Sequence, residues 1–212
     1  MSLHHQLLER QNQGRPIRVG LIGAGKFGSM YLSQIPRTPG VHLLGIADLS
    51  PQRAQDNLRL VGWPEHQTQA RSLAQALAEG STCVNDDWRA LVEHPALDVL
   101  VECTGSPPHA VEHILHAFAH GKHVVNVTVE ADAFCGPLLA RRAQTAGVVY
   151  SLAFGDQPAL ICDLVDWART CGFPVVAAGR GHKWLPHFST STPDTVWGYY
   201  GLTPEQAARG GL

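Results

Sequence analysis

Three glycines near the N-terminus have the spacing of a phosphate-binding loop. Gly23, Gly25 and Gly28 follow the apolar segment Ile17–Ile22. In a strand–turn–helix unit, the first glycine permits a tight turn, the second lets the backbone approach a pyrophosphate, and the third lets the helix pack on the strand. The helix N-terminus then favours negative charge. We predict that a dinucleotide pyrophosphate is held by Gly23, Ala24, Gly25, Lys26, Phe27 and Gly28; the alternative is a glycine-rich turn without a ligand.

An acidic residue follows the second apolar segment, Val41–Ala47. Asp48 lies roughly 20 to 25 positions beyond the glycines, where a carboxylate accepts hydrogen bonds from the adenosine ribose. This residue favours NAD over NADP, because a carboxylate would repel a 2'-phosphate. Ser50 and Arg53 are close enough in sequence to bind that phosphate if Asp48 turned away. The choice between NAD and NADP therefore stays open, with Asp48 favouring NAD.

Further polar residues follow later apolar segments, and ligands of open α/β sheets bind at the carboxyl ends of strands. Thr104 and Gly105 are expected to line the nicotinamide. Glu130 is a candidate acid/base or substrate contact, or else a first-turn carboxylate that complements the helix dipole. Lys183 is a candidate for polarising a carbonyl or binding a substrate anion, or else a solvated cation. Cys103 is disfavoured as a nucleophile, because no base can be assigned to it.

The histidines and cysteines of the chain do not indicate a metal centre. One helix face is expected to carry four histidines, but the sequence shows no carboxylate or cysteine with ligand spacing beside them, which favours a solvated face: His109, His113, His116 and His120. The five cysteines are scattered and include no Cys-x-x-Cys pair. This usage is typical of reduced thiols in a cytoplasmic protein.

Composition excludes several classes of partner. The formal net charge is -2 and the sequence pI is about 6.6, so a basic face for nucleic acid or phospholipid is not expected. No apolar run approaches the roughly 18 residues that span a bilayer, and residues 1–14 show no signal-peptide pattern. The expected partner is a small-molecule substrate.

Apolar and helical segments alternate along most of the chain. This pattern predicts an α/β fold: a Rossmann-type, doubly wound, mostly parallel sheet with right-handed crossovers. The last expected strand covers residues 173–178. We expect an N-terminal arm over residues 1–15, an NAD(P)-binding domain over residues 16–154, and the start of a catalytic or substrate region over residues 155–212, which we expect to be truncated.

Several segments together resemble a known group of enzymes. Residues 19–30, 101–105, 121–132, 155–159 and 191–198 are similar to the homoserine-dehydrogenase-like oxidoreductases with a C-terminal SAF domain, which include deoxyxylulose-phosphate-reductoisomerase-like enzymes. The resemblance implies an NAD(P)-dependent oxidoreductase acting on CH–OH groups, a dimerisation region and hence a homo-oligomer. For reductoisomerase-like members it also implies NADPH and a divalent metal. Homoserine dehydrogenases proper usually place a lysine near the position of Glu130, so homoserine is a disfavoured substrate.

These observations lead to one expected function and two alternatives. The expected reaction is hydride transfer to or from a carbonyl or alcohol carbon of a small polar substrate, with a phosphorylated substrate left open. A non-catalytic, nucleotide-sensing Rossmann protein is the first alternative. A sugar dehydrogenase of the glucose-fructose oxidoreductase type is the second, although the Glu-Lys-Pro segment of that group is missing after Glu130.

Overall fold

Six parallel strands form one sheet in a computed structural model that describes residues 2–153, 157–179, 185–192, 195, 198, 203 and 205. The strands are β1 (Ile17–Ile22), β2 (Val41–Ala47), β3 (Cys83–Asn85), β4 (Val99–Glu102), β5 (His123–Asn126) and β6 (Tyr150–Leu152). Their order across the sheet is β3-β2-β1-β4-β5-β6. This is the doubly wound order, and the chain changes direction across the sheet between β1 and β4. The predicted Rossmann-type α/β fold is confirmed.

Eight α-helices are found among the described residues. They are α1 (Leu3–Asn12), α2 (Lys26–Gln34), α3 (Pro51–Leu60), α4 (Leu73–Glu79), α5 (Trp88–Glu93), α6 (Pro107–Ala119), α7 (Val129–Ala146) and α8 (Gln157–Thr170). No helix of this described part is both long and apolar enough to cross a membrane.

Local sequence signals explain where several helices begin and end. The side chains of Ser50, Ser72 and Asp87 accept hydrogen bonds from backbone N–H groups three residues later, at the starts of α3, α4 and α5. Each supplies an acceptor for a backbone donor that the helix itself cannot pair. Gly80 and Gly147 follow α4 and α7 in the left-handed conformation, which glycine adopts without a steric penalty.

The sheet is packed on both faces, because two apolar clusters lie on its opposite sides. One cluster includes Leu44, Leu100 and Ile114, and the other includes Leu21 and Leu32, all of which are fully buried. Strands covered on both faces need apolar residues at successive positions, which is the pattern seen in β1, β2 and β4. This packing fixes the positions of the carboxyl ends of the strands relative to one another.

One sequence-based expectation about the elements is wrong. Residues 173–178 form no strand, and Phe173 and Val176 are largely exposed. An apolar segment becomes a strand only where a neighbouring strand pairs with it, and no strand among the described residues pairs with residues 173–178. Helix α7 begins at Val129, and Asp132 in its first turn accepts a hydrogen bond from the Tyr150 hydroxyl.

Helix α7 also has an internal kink that the sequence analysis did not predict. Cys135 has a non-helical backbone conformation, with φ -143°, two residues before Pro137. A proline inside a helix lacks an N–H donor and its ring clashes with the preceding turn, which explains the bend.

The chain divides into two compact units. The first, residues 1–159, contains the whole sheet and helices α1 to α7. The second, residues 160–212, contains most of α8 and a short 3-10 helix, Pro186–Thr190. The candidate site described below lies entirely in the first unit.

Candidate cofactor-binding site

The first and third glycines of the loop after β1 are required by close backbone contacts. Gly23 has a φ of +93°, and a Cβ there would lie 2.8 Å from the carbonyl oxygen of Cys103. A Cβ on Gly28 would lie 2.5 Å from the carbonyl oxygen of Gly23. The turn can therefore close against β4, and α2 can pack on the loop, only because both positions lack a side chain.

The second glycine has a different environment. A Cβ on Gly25 would meet nothing within 4 Å, so the space beside its backbone is open. Gly25 is also the N-cap of α2, and no side chain caps that helix end. The N-terminal N–H groups of α2 are thus left to other acceptors, as a bound phosphate would require. An open cradle at an uncapped helix N-terminus fits the pyrophosphate of a dinucleotide.

Asp48 already carries several hydrogen bonds at the end of β2. Its Oδ2 accepts from the backbone N–H of Ala24 at 2.8 Å. Its Oδ1 accepts from the backbone N–H of Ser50 at 2.8 Å and from Nη2 of Arg53 at 3.0 Å. Two donors therefore occupy Oδ1, whereas Oδ2 keeps a lone pair for a further donor. Asp48 is 7% exposed as a residue, and it lines a pocket.

A second contact fixes the glycine loop from α3. The side-chain amide of Asn57 donates a hydrogen bond to the carbonyl oxygen of Ala24 at 2.7 Å. Together with Asp48, it holds both backbone polar groups of Ala24 in place. The shape of the loop is consequently set by neighbouring protein groups.

The pocket beside Asp48 lies at the switch in strand order and has a cavity volume of about 240 Å³. Residues from both halves of the sheet line it, among them Gly23, Gly25, Asp48, Arg53, Thr104 and His109. The half-buried indole of Trp88 forms part of the wall. Ligands of open α/β sheets bind at this position. Five of the predicted cofactor residues thus line one pocket, and Gly105 directly follows Thr104.

A fully buried carboxylate organises the loop after β4. Glu102 accepts hydrogen bonds from the hydroxyl of Thr104 at 2.6 Å and from the hydroxyl of Thr128. Thr128 in turn accepts from the N–H of Gly105 at 3.1 Å. His113, which is 5% exposed, places its Nδ1 3.4 Å from Glu102. This network ties the loop of Thr104 and Gly105 to the loop that follows β5.

Cys103 is unsuited to act as a nucleophile. Burial raises the pKa of its thiol well above the usual range, and the nearby carboxylates of Glu102 and Asp48 raise it further. The thiol donates a hydrogen bond to the carbonyl oxygen of Gly23 at 2.7 Å. A protonated, internally paired thiol has little reactivity, and its position instead supports the turn at Gly23.

The two predicted substrate-side residues are not brought together by the described structure. Glu130 is exposed in the first turn of α7, after β5, and it does not line the pocket beside Asp48. Lys183 lies outside the described residues. Their assignment to acid/base or substrate-binding roles remains a prediction.

The expectation of a solvated histidine face on α6 is only partly correct. His113 is buried against Glu102 and the Trp88 ring, whereas His109 and His120 are exposed. The expectation that no carboxylate approaches this face is wrong. Glu93 of α5 places its Oε1 2.9 Å from Nε2 of His116. Residues 23 positions apart were brought together by helix packing, which sequence spacing does not reveal.

Sequence reasoning missed several residues that position the site. Glu102 was the most detectable, because a carboxylate within the apolar segment Val99–Glu102 must find buried hydrogen-bond partners. Thr128, Asn57 and Trp88 carried no comparable signal. Their contacts depend on the approach of separate elements.

Comparison with known proteins gives two family matches. Residues 23–152, well over half of the chain, match the family described as "Homoserine dehydrogenase, NAD binding domain". Residues 155–212 match the family described as "Oxidoreductase DRL, catalytic domain".

Individual relatives are similar over shorter stretches. A glycosyl hydrolase family 109 protein from Phocaeicola vulgatus is 32% identical over 107 residues, which cover 50% of this chain and 21% of the relative. A homoserine dehydrogenase from Methylobacillus glycogenes is 31% identical over 115 residues, which cover 52% of this chain and 24% of that relative. The matches thus span less than a quarter of these relatives. The crystal structure of a homoserine dehydrogenase from Thiobacillus denitrificans shares the fold, with a TM-score of 0.50, 24% identity and coverage of 73% of this chain and 34% of that one.

Proposed function

We propose that this chain, a member of the family of homoserine dehydrogenase NAD-binding domains, is the cofactor-binding part of a dehydrogenase-type oxidoreductase. The proposed reaction is hydride transfer to or from a carbonyl or alcohol carbon of a small polar substrate. One observation carries the proposal: the open cradle at Gly25 lies at an uncapped helix N-terminus. The pocket containing Asp48 lies beside it.

Each part of the dinucleotide has a matching group on the protein. The backbone around Gly25 and the N-terminus of α2 would hold the pyrophosphate. Asp48 would accept a hydrogen bond from the adenosine ribose through Oδ2, while Thr104 and Gly105 would line the nicotinamide. When bound, the nicotinamide supplies the hydride acceptor or donor. Glu130 and Lys183 are proposed to contact the substrate.

Arg53 is proposed to govern the choice between NAD and NADP. Its side chain is 61% exposed, and its Nη2 lies 3.0 Å from Asp48. The guanidinium neutralises the carboxylate that would otherwise repel a 2'-phosphate, and it can also form paired hydrogen bonds with that phosphate. Arg53→Ala is therefore expected to weaken NADPH binding by about tenfold or more. NADH affinity should change little, and equal losses for both cofactors would contradict this role.

The cofactor proposal is tested by calorimetric titration of the chain with NADPH and NADH at matched salt. Gly25→Val should abolish binding of both, because its side chain would fill the cradle. Gly179→Val is the matched control, since a Cβ on Gly179 also meets nothing within 4 Å but lies in the second unit. Unchanged binding in folded Gly25→Val, or equal losses in both variants, would refute the site.

A sugar substrate is the second candidate, and the glycosyl hydrolase family 109 relative supports it. The chain is incubated with NAD⁺ or NADP⁺ and either simple sugars or small amino-alcohols, and cofactor reduction is followed by absorbance. Reduction with sugars alone would favour the second candidate. Reduction with amino-alcohols alone would favour a homoserine-like substrate.

A further inference from the structure

Two histidines and one glutamate meet at the seam between helices α5 and α6. His116 lies in the last turn of α6 and His120 directly follows the helix, four residues later, and their ring centroids are 4.4 Å apart. Glu93, the last residue of α5, reaches His116 across the seam at 2.9 Å. One ligand atom from each of the three residues lies within 4.8 Å of the other two.

Packing fixes the backbone of this seam. Leu91 and Val92 of α5 are buried in the core beside the site. Arg89 forms an ion pair with Glu112 of α6, and the ring of Trp88 contacts His116 edge-on, with centroids 5.2 Å apart. The helices therefore hold the three ligand-bearing positions in place, while the side chains keep enough exposure to receive an ion from solvent.

The hydrogen bond of His120 suits metal ligation. Its Nδ1 lies 2.9 Å from the backbone carbonyl oxygen of His116. A ring that donates from Nδ1 to a carbonyl leaves the lone pair of Nε2 facing outward, which is the usual arrangement behind a ligating histidine. The protein thus supplies the supporting contact as well as the ligand.

We propose that Glu93, His116 and His120 bind a divalent transition metal ion of the zinc class. Two imidazoles and one carboxylate form a donor set that zinc accepts, and tetrahedral zinc with bonds of about 2.0–2.1 Å needs ligand atoms about 3.3 Å apart. The three ligand atoms lie within 4.8 Å of one another, so metal binding requires rotamer changes that bring them closer together. Three protein ligands leave a fourth position for water, and the ion clamps α5 to α6.

The site is tested by titrating the chain with Zn²⁺ in calorimetry and by recording the visible spectrum with Co²⁺. One strong site per chain is expected, with Co²⁺ bands of a four-coordinate ion. Glu93→Gln and His120→Gln should each weaken Zn²⁺ binding by about tenfold or more and remove those bands. Zn²⁺ should raise the melting temperature of the parent chain but not of these variants.

The matched control is His66→Gln, because His66 is exposed and lies outside the cluster. This variant should keep the parent affinity and spectrum. Both cluster substitutions are at exposed positions, and circular dichroism is used to check that the variants are folded. Zn²⁺ affinity that is unchanged in the two cluster variants, or reduced as strongly by His66→Gln, would overturn the proposal.

Discussion

The two glycines at the start of α2 should respond in opposite ways to the same added methyl group. In Gly28→Ala, the new Cβ would lie 2.5 Å from the carbonyl oxygen of Gly23, so loop or helix must shift. Overpacking of this kind costs about 1–3 kcal/mol of unfolding free energy. In Gly25→Ala, the Cβ meets open space and φ is -72°, which alanine adopts, so stability should change by less than about 1 kcal/mol.

Cofactor affinity, in contrast, should fall directly in Gly25→Ala, the variant whose stability changes least. The alanine methyl at position 25 occupies the cradle, and we expect a loss of about tenfold or more, equivalent to about 1.4 kcal/mol of binding free energy. Urea unfolding measures stability, and calorimetry with NADH and NADPH measures affinity. Both are performed on the parent chain and on the two variants.

Stability and affinity measured together distinguish a glycine that contacts the ligand from a glycine that is required only by the turn. If Gly25→Ala binds both cofactors as the parent chain does, the cradle does not hold the pyrophosphate. If Gly28→Ala is as stable as the parent chain, the close contact with Gly23 is not a constraint. Either result refutes the corresponding step of the reasoning.

Three further predictions concern the buried Glu102 and the half-buried Tyr31 and Cys103. Glu102→Gln replaces one buried carboxylate oxygen, an acceptor, by an NH2 donor, so a hydrogen bond of the network is lost. The unfolding free energy in urea should therefore fall by about 1–3 kcal/mol. An unchanged midpoint would contradict the network. Burial, reinforced by the nearby thiol of Cys103, raises the pKa of Tyr31 to about 12, whereas the phenol ionises near 10.0 when unfolded. The stability from Tyr31 is therefore complete below pH 10.0 and is lost as pH rises to about 12, so Tyr31→Phe should flatten that alkaline decline in urea titrations. Iodoacetamide should alkylate exposed Cys162 well before Cys103 in a mass-spectrometric time course, and equal rates would refute the assignment of Cys103 as an inert thiol.

Local signals predicted the fold and the glycine loop well. The strand–glycine–helix pattern and the apolar strands both depend on residues close in sequence. Such features are decided by backbone sterics and by the period of apolar residues. The alternation of strands and helices predicted the parallel sheet.

The partners within the site could not be predicted in the same way. The prediction for Asp48 concerned only the ribose, and it did not include the hydrogen bonds that the carboxylate accepts from the N–H of Ala24 and the side chain of Arg53. The contact between Glu93 and His116 joins two helices separated by a strand. These contacts depend on how separate elements pack, which periodicity does not specify. Residues 173–178 show the converse case, in which an apolar run lacks a neighbour and stays irregular.

The hydrogen bonds that hold Ala24 bear on how tightly this protein can bind a dinucleotide. Asp48 and Asn57 keep the loop in one shape through contacts within the protein. The conformational entropy of ordering the loop is therefore lost when the chain folds and not when the cofactor arrives. The affinity of the glycine loop for the cofactor therefore depends in part on the stability of the fold. A substitution remote from the pocket that loosens α3 or β2 would weaken binding without touching the ligand.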